Sequence, residues 1–311
     1  MLPASARLTG RLVGANDAVD RVLDARARGI LATWGLIVTF VLVTAERLLG
    51  AASLGTFAID LRIYRAAAEA ALHGGNPWLA GVAGLTFAGP PPTLLPYLPA
   101  ALLPESLAIA LYGAINVGAA LIALRSLRLP IWWLLFPPIS DSLIVLNPDV
   151  VVIALLIGVP RLASVAVPIK IYAVIPLALT ARWRALAVGL LICALSLPWW
   201  SAFFEVLPSI EASLAAQSFG GASAWGSWLM VPTVLALVFL RKRGAEWLTV
   251  PAIWPYTQLH YAALALPIAA ADAVVAFLLS FPVLYLVPVA TISYALRLLV
   301  RDRLATYRSG A

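Results

Sequence analysis

The chain has 311 residues, of which 63% are hydrophobic and only 11% are charged, and its mean hydropathy is +0.97. A soluble domain is about half apolar and about a quarter charged, so this composition excludes an ordinary soluble enzyme. The net charge of +7 comes from basic residues scattered at the ends of apolar stretches, which indicates membrane topology and not a nucleic-acid-binding surface. We therefore predict an all-α, polytopic transmembrane bundle, because helices satisfy their backbone in lipid and the alternating polarity of barrel strands is absent.

The first segment, residues 1–28, is polar and charged, and it lacks the apolar core and cleavage site of a signal peptide. We interpret 1–28 as a cytoplasmic segment, 29–300 as one transmembrane catalytic domain and 301–311 as a cytoplasmic tail. Placing the Arg and Lys groups in the cytoplasm puts the loop 51–93 on the outer side of the cell membrane. About 10–12 membrane segments are expected, several of them too short to cross the bilayer alone.

Asp60 is the residue that most strongly suggests a function. It follows a long apolar run, Gly29 to Ala52, and begins an amphipathic segment, 60–73, that we expect to lie in the membrane interface. Carboxylates beside hydrocarbon are energetically expensive, so they are functional candidates. The alternative is that Asp60 only caps the helix N-terminus, and the local sequence does not decide between capping and catalysis.

A second candidate lies in the segment 162–181, where Lys170 falls between two prolines. We interpret this segment as two short half-helices with Lys170 at the bend. The position favours a role for Lys170 in a cavity or at a phosphate over simple snorkelling of its ammonium group. Asp141 and Asp149, in contrast, are expected to cap the outer ends of helices.

The order of these motifs resembles a known family. Phe57, Asp60 and Tyr64 have the spacing Phe-x-x-Asp-x-x-x-Tyr, and an Ala-rich helix, a Gly-Gly-Asn-Pro-Trp turn at 74–78 and a Pro-rich stretch at 90–99 follow. This pattern resembles the GT-C class of integral-membrane glycosyltransferases, and within it the family 87 mannosyltransferases that use polyprenyl-phosphate mannose.

Three later segments, 147–156, 166–176 and 258–261, also resemble that family. Two departures are clear: the family's Gly-Gln pair is absent near residue 147, and Ile171 stands where the family has a proline after its lysine.

The resemblance implies an inverting transfer of a hexose, with mannose as the first candidate, from a polyprenyl-phosphate carrier to a hydroxyl on the extracytoplasmic face. The acceptor would be a lipid or glycan, and the surrounding partners would be membrane lipids. Asp60 would act as general base, because one base is needed to take the hydroxyl proton. No cofactor is expected, and His73 and His260 are too isolated to predict a metal site. The residues expected to bind the substrate are Arg62, Tyr64, Arg65, Lys170, His260 and Tyr261. For Arg62 and Arg65 the alternative is contact with lipid headgroups, and for His260 it is an ordinary position at the membrane interface.

Two other functions stay open: a polytopic transporter or lipid flippase, and a catalytically inactive GT-C-like subunit. A transporter predicts internal repeats and acids buried within spans. The chain shows no clear repeat, and its acids fall in the predicted outer loops, which favours the enzyme.

Overall fold

A computed structural model describes residues 4–217, 222–281 and 283–309, and it confirms the all-α prediction. The α-helices are α1 Ala4–Leu54, α2 Ile59–Leu72, α3 Leu98–Ala101, α4 Glu105–Ser126, α5 Pro137–Val145, α6 Asp149–Ile153, α7 Ala166–Ile169, α8 Val174–Leu179, α9 Trp183–Cys193, α10 Trp200–Gln217, α11 Met230–Phe239, α12 Ala245–Ile253, α13 Leu266–Ala271, α14 Ala273–Leu278 and α15 Leu286–Ser309. Short 3₁₀ segments join many of them, at Pro91–Tyr97, Ile131–Leu135, Pro160–Val165, Ile171–Ala173, Ala194–Trp199 and Leu259–Ala265, and a π-helical turn covers Ala154–Gly158. A small antiparallel hairpin pairs β1 Gly81–Val82 with β2 Leu85–Thr86.

The helix α1 begins at Ala4, so it includes most of the predicted segment 1–28 in one continuous helix with the first apolar stretch. Residues 1–3 of that segment and residues 310–311 of the predicted tail lie outside the described part of the chain.

Among the described residues, three helical stretches are long and apolar enough to cross a membrane, namely Gly29–Leu54, Glu105–Ser126 and Trp183–Ala215. Their surfaces are rich in exposed apolar side chains, such as Leu31 and Trp34 on α1. Extended apolar surface of this kind suits contact with lipid better than contact with water.

The segment around Lys170 forms two short helices, as the flanking prolines predicted. Lys170 ends α7 and has extended backbone angles (φ −147°, ψ 113°), and a 3₁₀ turn and α8 follow it. A proline cannot donate to a helical ladder, so helices in this segment stay short. The break places the Lys170 side chain inside the protein, where it is almost fully buried.

The sequence predicted that the apolar face of α2 lies in the membrane interface, but in the structure other parts of the protein pack against this face. Leu61, Tyr64 and Ala68 on this face are buried in a hydrophobic cluster that includes Leu94, whereas Leu72 at the end of the helix is exposed. Protein therefore covers most of the face, and only its C-terminal end is open.

Two hydrophobic clusters meet at the site described below. The larger cluster contains Phe136 and Tyr172, and the smaller one surrounds α2 and contains Tyr64 and Trp78. Side chains from both clusters line one cavity, so the packing of the two clusters against each other determines the shape of the cavity.

Candidate functional site

One cavity of about 360 Å³ collects most of the polar side chains that the sequence analysis singled out. This volume lies in the range of small-molecule sites, roughly 300–1,000 Å³. The cavity is walled by the end of α1, the start of α2, the hairpin region, α5, the Lys170 break and the segment 254–261. Its polar lining residues are Arg47, Thr56, Asp60, Tyr64, Thr86, Thr93, Asp141, Asn147, Lys170, Tyr172, Tyr256, Gln258, His260 and Tyr261.

Asp60 is the second residue of α2. The residue before the helix, Ala58, has left-handed backbone angles (φ 56°), and its N–H donates to the carbonyl of Ile144 at 2.9 Å, which ties the start of α2 to α5. The Asp60 side chain does not cap the helix; its Oδ2 accepts a hydrogen bond from Asn147 Nδ2 at 2.6 Å. The capping alternative is therefore wrong, because the helix begins one residue earlier than predicted and the carboxylate points into the cavity wall.

Asn147, which was not among the predicted site residues, connects Asp60 to the rest of the site. It is buried between α5 and α6, where Leu146 has left-handed backbone angles (φ 56°) and turns the chain. Its Nδ2 lies 3.1 Å from His260 Nε2, and its Oδ1 accepts from the backbone N–H of Asp149 at 3.2 Å. The amide therefore contacts residues from three separate parts of the chain.

His260 connects this network to an ion pair. Its Nδ1 lies 3.3 Å from Asp141 Oδ2, and the other oxygen of Asp141 accepts from Arg47 Nε at 2.8 Å and from Nη2 at 2.6 Å. The Asp141 side chain is only 3% exposed, whereas that of Arg47 is 37% exposed. A buried carboxylate needs such partners, because an unpaired charge inside a protein is strongly unfavourable.

Lys170 is held in a second ion pair. Its Nζ donates to the hydroxyl of Tyr64 at 3.2 Å and lies 3.7 Å from Asp149 Oδ1, which also accepts a hydrogen bond from the hydroxyl of Tyr172. The ammonium group lies 5.2 Å from the ring centre of Tyr261 and 5.7 Å from that of Tyr64, within the range of cation–π contacts. The ammonium is therefore fixed by aromatic side chains and one carboxylate.

The prediction that Asp141 and Asp149 only cap helix ends is wrong. Asp141 is the fifth residue of α5, one full turn beyond the helix start, and its carboxylate faces Arg47 and His260. Asp149 does begin α6, but its carboxylate does not cap that helix and instead accepts a hydrogen bond from Tyr172. Both acids are buried parts of the polar network, with the Asp149 side chain fully inaccessible.

The three carboxylates of the site differ in their partners. Asp141 is paired with Arg47 and Asp149 with Lys170, whereas the closest hydrogen-bond partner of Asp60 is the neutral amide of Asn147. Among the described residues, none donates a hydrogen bond to the other oxygen of Asp60, Oδ1, and Asp60 lines the cavity.

Burial raises the pKa of the Asp60 carboxyl above its ordinary value, although the hydrogen bond that Asn147 donates to it acts in the opposite direction. A general base works best when its pKa lies near the operating pH, so the shift moves Asp60 towards that condition.

Arg62 and Arg65 are the two predicted substrate-binding residues that do not line the cavity. Arg62 Nε donates to Glu105 at 2.9 Å in a pair that is partly exposed. Arg65 donates to the backbone carbonyls of Ala100 and Leu103, both at 3.2 Å. Both guanidinium groups therefore join α2 to the neighbouring segment 98–105, whereas Asp60, Tyr64, Lys170, His260 and Tyr261 come together at the cavity.

The described residues contain no group of three or more His, Cys, Asp or Glu side chains that could hold a metal ion. Comparisons of the chain with protein-family models, with curated proteins and with solved structures found no match. The resemblance to GT-C glycosyltransferases therefore rests on the sequence segments quoted above.

Proposed function

We propose that the protein is an integral-membrane glycosyltransferase of GT-C type, which moves a hexose from a polyprenyl-phosphate carrier to a hydroxyl of a lipid or glycan. We take mannose as the first sugar to test. In this proposal the chain crosses the cell membrane several times, both termini are cytoplasmic and the cavity opens on the extracytoplasmic side. The three long apolar stretches support a membrane location.

The observation that carries the proposal is the contrast between Asp60 and the other two carboxylates. Asp141 and Asp149 each have a cationic partner, while Asp60 lines the cavity with one oxygen that accepts no hydrogen bond from a described residue. A carboxylate that is held through one oxygen and open at the other is suited to take a proton from a bound hydroxyl.

In the proposed step, the acceptor hydroxyl oxygen forms a bond to the anomeric carbon of the sugar. The bond from that carbon to the phosphate oxygen of the carrier breaks, and its electron pair stays with the phosphate. The hydroxyl proton passes to Asp60 Oδ1, and the anomeric configuration is inverted because a single displacement occurs. No oxidant, reductant or further reactant is required.

Lys170 supplies the positive charge for the leaving phosphate in this proposal. Its ammonium lines the same cavity, and its contacts with Tyr64 and Tyr261 hold it in place. A fixed cation that faces developing negative charge stabilises the transition state more than a mobile one, because no reorganisation is needed. Asp149 offsets part of this charge, so we expect Tyr64 and Tyr261 to assist through their hydroxyl groups.

The test is sugar transfer by purified protein in liposomes that contain polyprenyl-phosphate mannose and a lipid acceptor. We expect transfer by the native protein, loss of transfer in Asp60→Asn, and retention in Glu69→Gln. Glu69 is a matched control because it is an acid on the same helix but is exposed and outside the cavity. Equal transfer rates for the native protein and Asp60→Asn would contradict the proposal.

The proposed topology has its own test. Replacing Cys193 by serine gives a background without cysteine, because it is the single cysteine of the chain. Leu79, an exposed residue after α2, is then replaced by cysteine. We expect this thiol to react with a membrane-impermeant reagent added outside intact cells, and protection from the reagent until the cells are opened would contradict an outer location for the loop 51–93.

A transporter is the second candidate, because Asp141 and Asp149, two acids that were predicted to lie in outer loops, are buried and each forms an ion pair. The pairs Arg47–Asp141 and Lys170–Asp149 have His260 between them, and buried ionisable groups of this kind mark substrate or proton pathways in membrane proteins. Liposomes with a pH-sensitive dye inside distinguish the two functions. Proton or solute flux without any sugar transfer favours the transporter.

A further inference from the structure

The backbone N–H of Asp149 determines the orientation of the Asn147 side-chain amide. The N–H of Asp149 can only donate, and it lies 3.2 Å from the oxygen end of the Asn147 side chain. If the amide were reversed, its NH₂ would face this N–H, and two donors would oppose each other. The NH₂ group therefore points the other way, towards Asp60 Oδ2 at 2.6 Å and His260 Nε2 at 3.1 Å.

This orientation determines where His260 carries its proton. Because Asn147 donates to Nε2, that nitrogen must offer its lone pair, and the ring proton of the neutral imidazole resides on Nδ1. Nδ1 in turn lies 3.3 Å from Asp141 Oδ2, a suitable acceptor that Arg47 keeps ionised. The two contacts of the ring agree with the same tautomer.

We propose that Asn147 is a positioning residue of this site. Its two amide hydrogens hold Asp60 through Oδ2 and His260 through Nε2, so that Asp60 Oδ1 is the proton acceptor presented to the substrate and His260 is kept as its Nδ1–H tautomer. The role in presenting Asp60 rests on the proposed glycosyltransferase function, whereas the tautomer of His260 does not. One consequence is that His260 is not the base, because its Nε2 lone pair is occupied.

Nitrogen NMR of the imidazole rings tests the tautomer directly. The chain has two histidines, His73 and His260, and His73 is exposed on α2's C-terminal side. Protein labelled with [¹⁵N]histidine in a His73→Gln background therefore gives the signals of His260 alone. At a pH high enough to make the ring neutral, we expect one protonated nitrogen, Nδ1, and one unprotonated nitrogen, Nε2. A neutral ring with its proton on Nε2 would overturn the inference.

A substitution tests the role of the amide. Asn147→Leu keeps the branched shape of the side chain but has no donor, so we expect the Nε2 signal of His260 to shift. Asn116→Leu is the matched control, because Asn116 is equally buried but donates to the backbone of Tyr112 outside the cavity. An unchanged Nε2 signal in Asn147→Leu, or an equal shift in Asn116→Leu, would contradict the proposal, and the native spectrum decides the tautomer even if the leucine variants do not fold.

The transfer assay separates this inference from the proposed function. With native protein active, we expect Asn147→Leu to lower kcat on the order of 10²-fold with little change in KM, the loss typical of a reacting group misplaced by about 1 Å. A change confined to KM would refute the positioning of Asp60. If the native protein transfers no sugar but His260 shows the expected tautomer, the proposed function fails and the role of Asn147 in the network stands.

Discussion

Replacing Asp60 by asparagine removes the proposed base while changing little else. The new side chain has the same shape, and its amide oxygen can still accept the hydrogen bond that Asn147 donates at 2.6 Å. What is lost is the ability of the free oxygen to take up a proton. Loss of a general base lowers a rate on the order of 10²–10⁴-fold, so we expect kcat to fall by that factor with little change in KM.

The effect of Asp60→Asn on stability follows from the sign of the pKa shift. Burial raises the pKa of Asp60, so the native state binds this proton more tightly than the unfolded state does. The resulting stabilisation is fully present below the unfolded pKa and is lost as the pH rises through the native pKa. Above that pH the substitution removes an unfavourable buried charge, and we expect a change of no more than about 1 kcal/mol, the size of one altered hydrogen bond.

The assay measures initial rates in liposomes, normalised to the amount of folded protein, with Glu69→Gln as the exposed control from the same helix. A large fall in kcat together with an unchanged melting temperature supports the assignment of Asp60 as base. Native-like kcat in Asp60→Asn would refute it. A fall in kcat that only parallels a loss of folded protein would show that Asp60 has a structural role.

Three further outcomes follow from the same geometry. The base must be ionised and burial raises the pKa of Asp60, so the activity of the native protein should fall on acidification at a pH above the range in which an ordinary carboxyl titrates. A transfer rate that stays unchanged down to pH 4 would contradict this. Lys170→Met should lower kcat/KM for the lipid donor about 10- to 100-fold, the loss expected for a charge-assisted hydrogen bond, and an unchanged value would exclude Lys170 as the phosphate partner. Arg47→Met should destabilise the protein by about 3 kcal/mol, because it leaves Asp141 buried without its cation. Arg243→Gln breaks an exposed ion pair and should cost less than about 1 kcal/mol. Equal losses of stability for the two variants in denaturation experiments would refute the distinction.

Charge in an apolar context was a reliable guide to part of the site. Asp60 and Lys170 were found in the sequence because each interrupts apolar surroundings, and the prolines around Lys170 also predicted the break in its helix. The start of α2 was missed because it depends on a tertiary contact, the hydrogen bond from Ala58 to Ile144, which no local pattern reveals. The residues that pack against the apolar face of α2 also come from distant segments. The helical periodicity of apolar residues therefore identified the face but not the segments that pack against it.

The remaining site residues were missed for two physical reasons. Asp141 and Asp149 lie near prolines at helix starts, where caps are common, and the Arg47 partner of Asp141 is 94 residues away in the chain. Asn147 is neutral, so a search for charges near hydrocarbon does not detect it. Its Asn-Pro-Asp context was the available signal, because a turn between two short helices can direct a polar side chain inwards.

The identity of the sugar donor tests the central proposal most directly. Purified native protein in liposomes is supplied with a glycan or lipid acceptor and with either polyprenyl-phosphate mannose or GDP-mannose, and the labelled product is measured. We predict transfer from the lipid-linked donor, loss of that transfer in Asp60→Asn, and no transfer from GDP-mannose when polyprenyl phosphate is absent. Transfer from GDP-mannose alone, or no transfer from either donor by folded protein, would contradict it.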